Sequence, residues 1–200
     1  MSRKTKRFLE KESNPIDVAQ FLDDVGTIFY SQGKLRKALT CYEEALALFE
    51  STGNSISIAK CLNNIGTIYY SQGDMTPALS YYEQALALLE LIGDSQIRPS
   101  AAIAMCLRNI GTVYHSYGVL EEALIYYEEA LALEERMGDS VSIAQLLSGI
   151  GTIYHQQRML TQAIENFTKA LDLYEHLGPE FEQYAAIVQE ELSTCSTQPS

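Results

Sequence analysis

The chain has 200 residues, a formal net charge of −12, four cysteines and no tryptophan. Five basic residues (Arg3, Lys4, Lys6, Arg7 and Lys11) crowd its start; with Glu10 and Glu12 set aside, 9 basic residues face 24 acidic ones over the rest. Such a body repels phosphate backbones, which need Lys and Arg to neutralise them, so nucleic acid is not an expected partner. No apolar run approaches the roughly 18 residues of a membrane-spanning helix, and no membrane insertion is expected.

In chain order, residues 1–14 read as a basic, disordered tail. Phe8 and Leu9 are followed by Glu10-Lys11-Glu12, so no signal peptide is expected. A phrase then recurs four times: Val25-Gly26-Thr27-Ile28-Phe29-Tyr30, Ile65-Gly66-Thr67-Ile68-Tyr69-Tyr70, Ile110-Gly111-Thr112-Val113-Tyr114-His115 and Ile150-Gly151-Thr152-Ile153-Tyr154-His155. A fixed period of about 40 residues means stacked supersecondary units. The units are placed at residues 15–54, 55–94, 95–139 and 140–178.

The second unit shows the pattern. Asn54-Ser55 offers an N-cap, and Ile58, Ala59, Leu62, Ile65, Gly66 and Tyr69 follow at helical spacing. Gly73 closes that helix. A second amphipathic stretch carries Met75, Ala78, Leu79, Tyr82, Ala85, Leu86 and Leu89, with Pro77 in its first turn. Each unit is therefore a helix, a tight turn and an antiparallel helix. Gly66 in mid-helix costs about 1 kcal/mol relative to alanine, which a close helix approach repays. Ala38, Ala78, Ala123 and Ala163, then Ala45, Ala85, Ala130 and Ala170, mark matching approaches; Tyr42, Tyr82, Tyr127 and Phe167 supply the bulk between them.

The third unit holds a five-residue insertion near residues 96–100, with Pro99 at a helix start. In the fourth, Arg158 replaces the turn glycine, so a looser turn is expected there. Residues 179–192 form one more amphipathic segment, read as a capping helix, and residues 193–200 a disordered tail. Cys41, Cys61, Cys106 and Cys195 show no CxxC spacing; Cys61 and Cys106 occupy one apolar packing position in successive units. A reducing, cytoplasmic setting is the default for such thiols.

Leu62, Ile65, Gly66, Tyr69, Gly73, Ala78, Tyr82 and Ala85, repeated in all four units over about residues 17–178, resemble the tetratricopeptide repeat (TPR). The usual proline that ends the second helix is replaced by Glu50, Glu90, Glu135 and Glu175. The chain is thus similar to the longer, roughly 40-residue TPR subclass of kinesin light chains, Leu-Gly-Asn-type polarity adaptors and many bacterial signalling proteins. The resemblance implies an all-α, right-handed α-solenoid of four helix-turn-helix units with a C-terminal capping helix. It also implies a concave groove lined by the first helices.

By register, the inward positions are Gln20, Asp23, Asp24, Thr27 and Tyr30; Lys60, Asn63, Asn64, Thr67 and Tyr70; Met105, Arg108, Asn109, Thr112 and His115; and Gln145, Ser148, Gly149, Thr152 and His155. From these, Asn63, Asn64, Thr67, Tyr70, Arg108, Asn109, Thr112, His115, Thr152 and His155 are the candidate peptide-binding residues. Asparagine both donates and accepts, as pairing with a peptide backbone requires. Tyr30, Tyr70, His115 and His155 form a row of rings. Arg108 can fork onto a carboxylate. Too few inward cations are present for a clamp on a ligand's C-terminus.

No catalytic, metal or cofactor site is expected. His115 and His155 stand a helix spacing of about 8–10 Å apart with no third ligand, and no phosphate-binding loop occurs. The expected function is a non-enzymatic adaptor binding an extended or helical protein segment. A self-assembling scaffold and a regulatory peptide sensor are the alternatives. A monomer is expected, with self-association left open.

Overall fold

The computed structural model describes residues 14–92 and 100–197, with side chains to Cys195. The basic segment before Asn14, the insertion with Pro99, and residues 198–200 lie outside the described residues. Among the described residues all regular structure is helical. The helices are α1 (Pro15–Ser31), α2 (Leu35–Thr52), α3 (Ser55–Gln72), α4 (Met75–Ile92), α5 (Ser100–Ser116), α6 (Leu120–Met137), α7 (Ser140–Gln156) and α8 (Leu160–Leu177). A 3₁₀ turn, Pro179–Phe181, leads into α9 (Glu182–Thr197).

Two compact units divide the chain, Met1–Ala102 and Ile103–Ser200. In the first, α1 packs on α2, α2 on α3 and α3 on α4. In the second, α7 packs on α6 and α8, and α9 packs on α8. Consecutive helices thus form antiparallel hairpins joined by short turns.

Capping residues set the helix starts. Asn14, expected in the tail, is the N-cap of α1 and accepts from the Ile16 amide at 3.2 Å. Asn54 accepts from Ser57 N, and Asp139 from Val141 N and Ser142 N. These bonds satisfy amides that have no partner inside the helix.

The hairpin turns are left-handed at one residue. Gly73 has φ +85°, and its amide bonds Tyr70 O at 2.9 Å while the Asp74 amide bonds Tyr69 O at 2.9 Å. Arg158 takes the same conformation, φ +61°. Its amide bonds His155 O at 3.0 Å and the Met159 amide bonds Tyr154 O at 2.9 Å. The looser fourth turn expected from Arg158 is therefore not found. Two backbone hydrogen bonds hold the turn closed and impose on arginine a conformation that costs an L-residue about 1–2 kcal/mol.

Each hairpin is locked by a glycine under a ring. A Cβ on Gly66 would stand 2.8 Å from Tyr82 Cε1 and 3.2 Å from the Ala78 carbonyl oxygen. The same distance to the ring recurs at Gly26 with Tyr42 (2.7 Å), Gly111 with Tyr127 (2.7 Å) and Gly151 with Phe167 (2.8 Å). The ring therefore lies directly on the backbone of the first helix. A hydroxyl bond adds to the seat in three hairpins: Tyr82 Oη donates to Thr67 Oγ1 at 3.2 Å, and the Tyr42–Thr27 and Tyr127–Thr112 pairs stand at 3.2 and 3.1 Å.

Between hairpins the contacts are apolar. In the first unit Ala38 and Tyr42 of α2 cover Ile65 and Ile68 of α3, and Ala45 and Phe49 cluster with Val18, Ala19, Leu22 and Cys61. In the second unit α9 presses Val188 and Cys195 onto Phe167, Ala170 and Tyr174.

The helix α9 runs beyond residue 192, so residues 193–197 are helical and not tail. Ser193 and Thr194 hydroxyls bond back to the Glu190 and Glu191 carbonyls, both at 2.7 Å, and the buried Cys195 anchors the last turn. No described helix is long and apolar enough to cross a membrane.

Candidate functional site

The first helix of each hairpin carries the expected binding residues, and neighbouring first helices exchange side-chain bonds within each unit. In the first unit the centre is Asp23, only 1% exposed. Its Oδ1 accepts from Asn64 Nδ2 at 2.9 Å, with the Cys61 sulfur at 3.9 Å. Lys60 Nζ lies 2.7 Å from Oδ2. That oxygen has no aligned hydrogen-bond donor among the described residues, so the Lys60 contact is Coulombic. A buried carboxylate needs such compensation. The sulfur is held protonated: burial, then the Asp23 charge, pushes the Cys61 thiol up to about 12. At the other end of the same helices Tyr30 Oη and Ser71 Oγ are 3.1 Å apart.

Expected site residues divide accordingly. Asn63, one of the expected ligand contacts, is buried, 3% exposed. Gly149 likewise faces a neighbouring side chain, its Cβ position 3.1 Å from the Tyr127 ring. Thr67 and Thr112 are half-buried; each hydroxyl donates to the carbonyl four residues back and pairs with a tyrosine hydroxyl. Thr152 donates to Ser148 O at 3.0 Å. The threonines thus spend their hydroxyls on the hairpin itself.

Asn64, Tyr70, Arg108, Asn109, His115 and His155 are half-buried and keep surface on the first helices. In the second unit Arg108 Nη1 donates to Gln145 Oε1 at 2.8 Å. Nearby Glu134 is raised above the ordinary carboxylate range by burial, with Asp139 adding and Arg108 opposing. His115 Nε2 pairs with Gln156 Oε1 at 3.2 Å, and His155 Nδ1 with Glu191 of α9 at 3.4 Å. Ser71 and Gln156 were not among the expected residues. Each lies 41 positions after the ring it meets, one repeat plus one residue, a signal that the period contains.

These side chains are chemically donors, acceptors and one guanidinium, half-exposed and tied by bonds that ligand groups of the same kind can replace. Among the described residues no three His, Cys, Asp or Glu side chains converge on a metal-sized site. Stacked hairpins with a small residue under a ring, and a polar face on the first helices, define an all-α helical-repeat protein with a capping helix.

The tetratricopeptide repeat family model matches residues 17–90 and 100–176. The chain belongs to the tetratricopeptide repeat family. Its structure is similar to that of BtubC (BKLC) from P. vanneervenii, with a TM-score of 0.75 at 20% identity over 96% of this chain and 82% of that one. It is also similar to the apo form of RapI, with a TM-score of 0.82 at 18% identity over 93% and 65%. Aspartyl phosphate phosphatase F from Bacillus subtilis gives 0.78 at 18% over 96% and 52%. The chain thus spans about two thirds and about half of the latter two proteins. No curated protein sequence matches it significantly. The TPR fold supports a role in protein interaction.

Proposed function

We propose that the chain is a non-enzymatic interaction module that takes an extended or helical segment of another protein along the first-helix faces. The carrying observation is the set of half-buried polar and ring side chains on α5 and α7 of the second unit, above all Arg108 with Gln145 and His115 with Gln156. A peptide amide can replace a glutamine amide at little cost, and a ligand carboxylate gains a charge-assisted fork from Arg108. The net charge of −12 supports a protein partner over nucleic acid. The chain acts as a monomer in the cytoplasm, without a cofactor.

The test is affinity capture from native lysate with the wild type and with an Asn64→Ala/Arg108→Ala/Asn109→Ala variant of unchanged far-UV circular dichroism. Partners held by the wild type should be depleted about tenfold or more on the variant, the change expected when one or two charge-assisted bonds are lost. Equal retention of the same partners would sink the assignment. An Arg108→Ala variant alone separates loss of the anchor from disturbance of the Asp23 cluster.

A further inference from the structure

Of the nine basic residues that follow Lys11, three stand within four positions at the first hairpin turn: Lys34, Arg36 and Lys37. All three are exposed, and with Gly33, Leu35 and Gln72 they line a recess of about 450 Å³ to which no carboxylate contributes. Phe29 gathers two of them, its ring centroid 6.0 Å from Lys34 Nζ and 5.5 Å from Lys37 Nζ. An ammonium over a ring face is attracted electrostatically, and Lys34 Nζ also donates to Gln32 Oε1 at 2.6 Å. Lys60 and Lys169 each reach a carboxylate at 2.7 Å, but among the described residues Lys34, Arg36 and Lys37 form no ion pair. In a chain of net charge −12, three cations thus stand together without a counter-charge.

We propose that this recess takes an Asp- or Glu-rich segment of a partner protein, using none of the residues assigned to the first-helix faces. Arg36 offers a planar fork that fits a carboxylate in two places, and the ammoniums of Lys34 and Lys37 supply point charges beside it. A charge acts over about 8 Å in physiological salt, so the recess attracts such a segment locally while remote glutamates are screened. A nucleic-acid strand suits it less well, because a run of phosphates needs more cations than these three and the rest of the body is acidic.

Amide chemical-shift mapping on the full nitrogen-15-labelled chain tests the assignment, with a capped tetraglutamate peptide as the probe. Saturable shifts should centre on residues 33–37 and Gln72, and capped tetraglutamine should produce none. Lys34→Gln/Arg36→Gln/Lys37→Gln changes exposed side chains, so far-UV circular dichroism should stay the same while affinity for tetraglutamate falls about tenfold or more. The Asn64→Ala/Arg108→Ala/Asn109→Ala variant should bind the probe as the wild type does, which separates this surface from the first-helix faces. Equal affinity after the three glutamine substitutions, or shifts centred on Arg108, overturns the proposal. So does saturation by inorganic phosphate at the same concentration as tetraglutamate, which assigns the recess to a free anion. Tighter binding of an oligothymidylate overturns it as well, and assigns the recess to nucleic acid.

Discussion

Gly66→Ala separates the two properties that glycine brings to the hairpin. In an isolated helix the change stabilises by about 1 kcal/mol. In this chain the new methyl would lie 2.8 and 2.9 Å from Tyr82 Cε1 and Cδ1, and 3.2 Å from a backbone oxygen. The ring has nowhere to retreat: Tyr82 is 2% exposed and its hydroxyl is bonded to Thr67. Overpacking of a closed site costs about 1–3 kcal/mol, and a tethered ring against fixed backbone puts this site near the top of that range. The net loss is then about 1–2 kcal/mol once the helix gain of about 1 is subtracted. With a urea slope of about 2 kcal/mol/M, the unfolding midpoint falls by about 0.5–1 M. Circular dichroism and tyrosine fluorescence should be followed together, since repeat arrays lose two-state behaviour when units uncouple. The decisive comparison is the same substitution in a Tyr82→Leu background, where the ring contacts are gone and only the 3.2 Å approach to the Ala78 oxygen remains, so Gly66→Ala should cost less than in the wild type. An unchanged or raised midpoint in the wild-type background, or additive effects in the double variant, would refute the lock.

Three further predictions rest on single sites. Lys60→Met strands the buried Asp23 carboxylate and should cost about 2–4 kcal/mol, more than Asp23→Asn at about 1, which leaves Lys60 in water; urea midpoints of the two variants rank them. Burial raises the Cys61 and Cys106 thiols from 9.0 to about 12. The unfolded chain ionises them near 9, so stability is intact below pH 9 and is lost between 9 and 12, by about 1.4 kcal/mol per pH unit per thiol. Midpoints at pH 8 and 10 should differ less in Cys61→Ala/Cys106→Ala than in the wild type; Tyr42 and Tyr174, also raised by burial, retain part of the difference. Arg158→Gly relieves a left-handed arginine and should raise the thermal midpoint, with a gain of about 0.5–1 kcal/mol after the entropy cost of glycine; a lower midpoint contradicts the strain.

The hairpins were legible because their determinants repeat. Gly66, Tyr82 and the alanines recur at one spacing, and a close approach leaves that spacing in the sequence. Depth was less legible. Register gives the direction of Asp23 on its helix, but its burial depends on what the next hairpin lays over it, and Lys60, Cys61 and Asn64 come from about 40 positions away. The fourth turn departs from residue preference; at Arg158 the hydrogen bonds on either side decide the conformation. Residues 193–197 read as tail by composition, since serine and threonine favour non-helical structure. One buried cysteine and two hydroxyls returning to helix carbonyls reverse that preference.

The ring seated on each glycine also decides where the protein is compliant. A hairpin whose second helix rests on the bare backbone of the first behaves as a stiff link, since sliding either helix drives the ring into main-chain atoms. The joint between hairpins in the first unit is softer: an apolar contact, held at one edge by Tyr30 with Ser71 and at the other by the Asp23 cluster. Tilting one link against the next therefore exchanges a few side-chain bonds and leaves every glycine seat intact. A partner that engages Asn64 or Lys60 acts directly on such a joint.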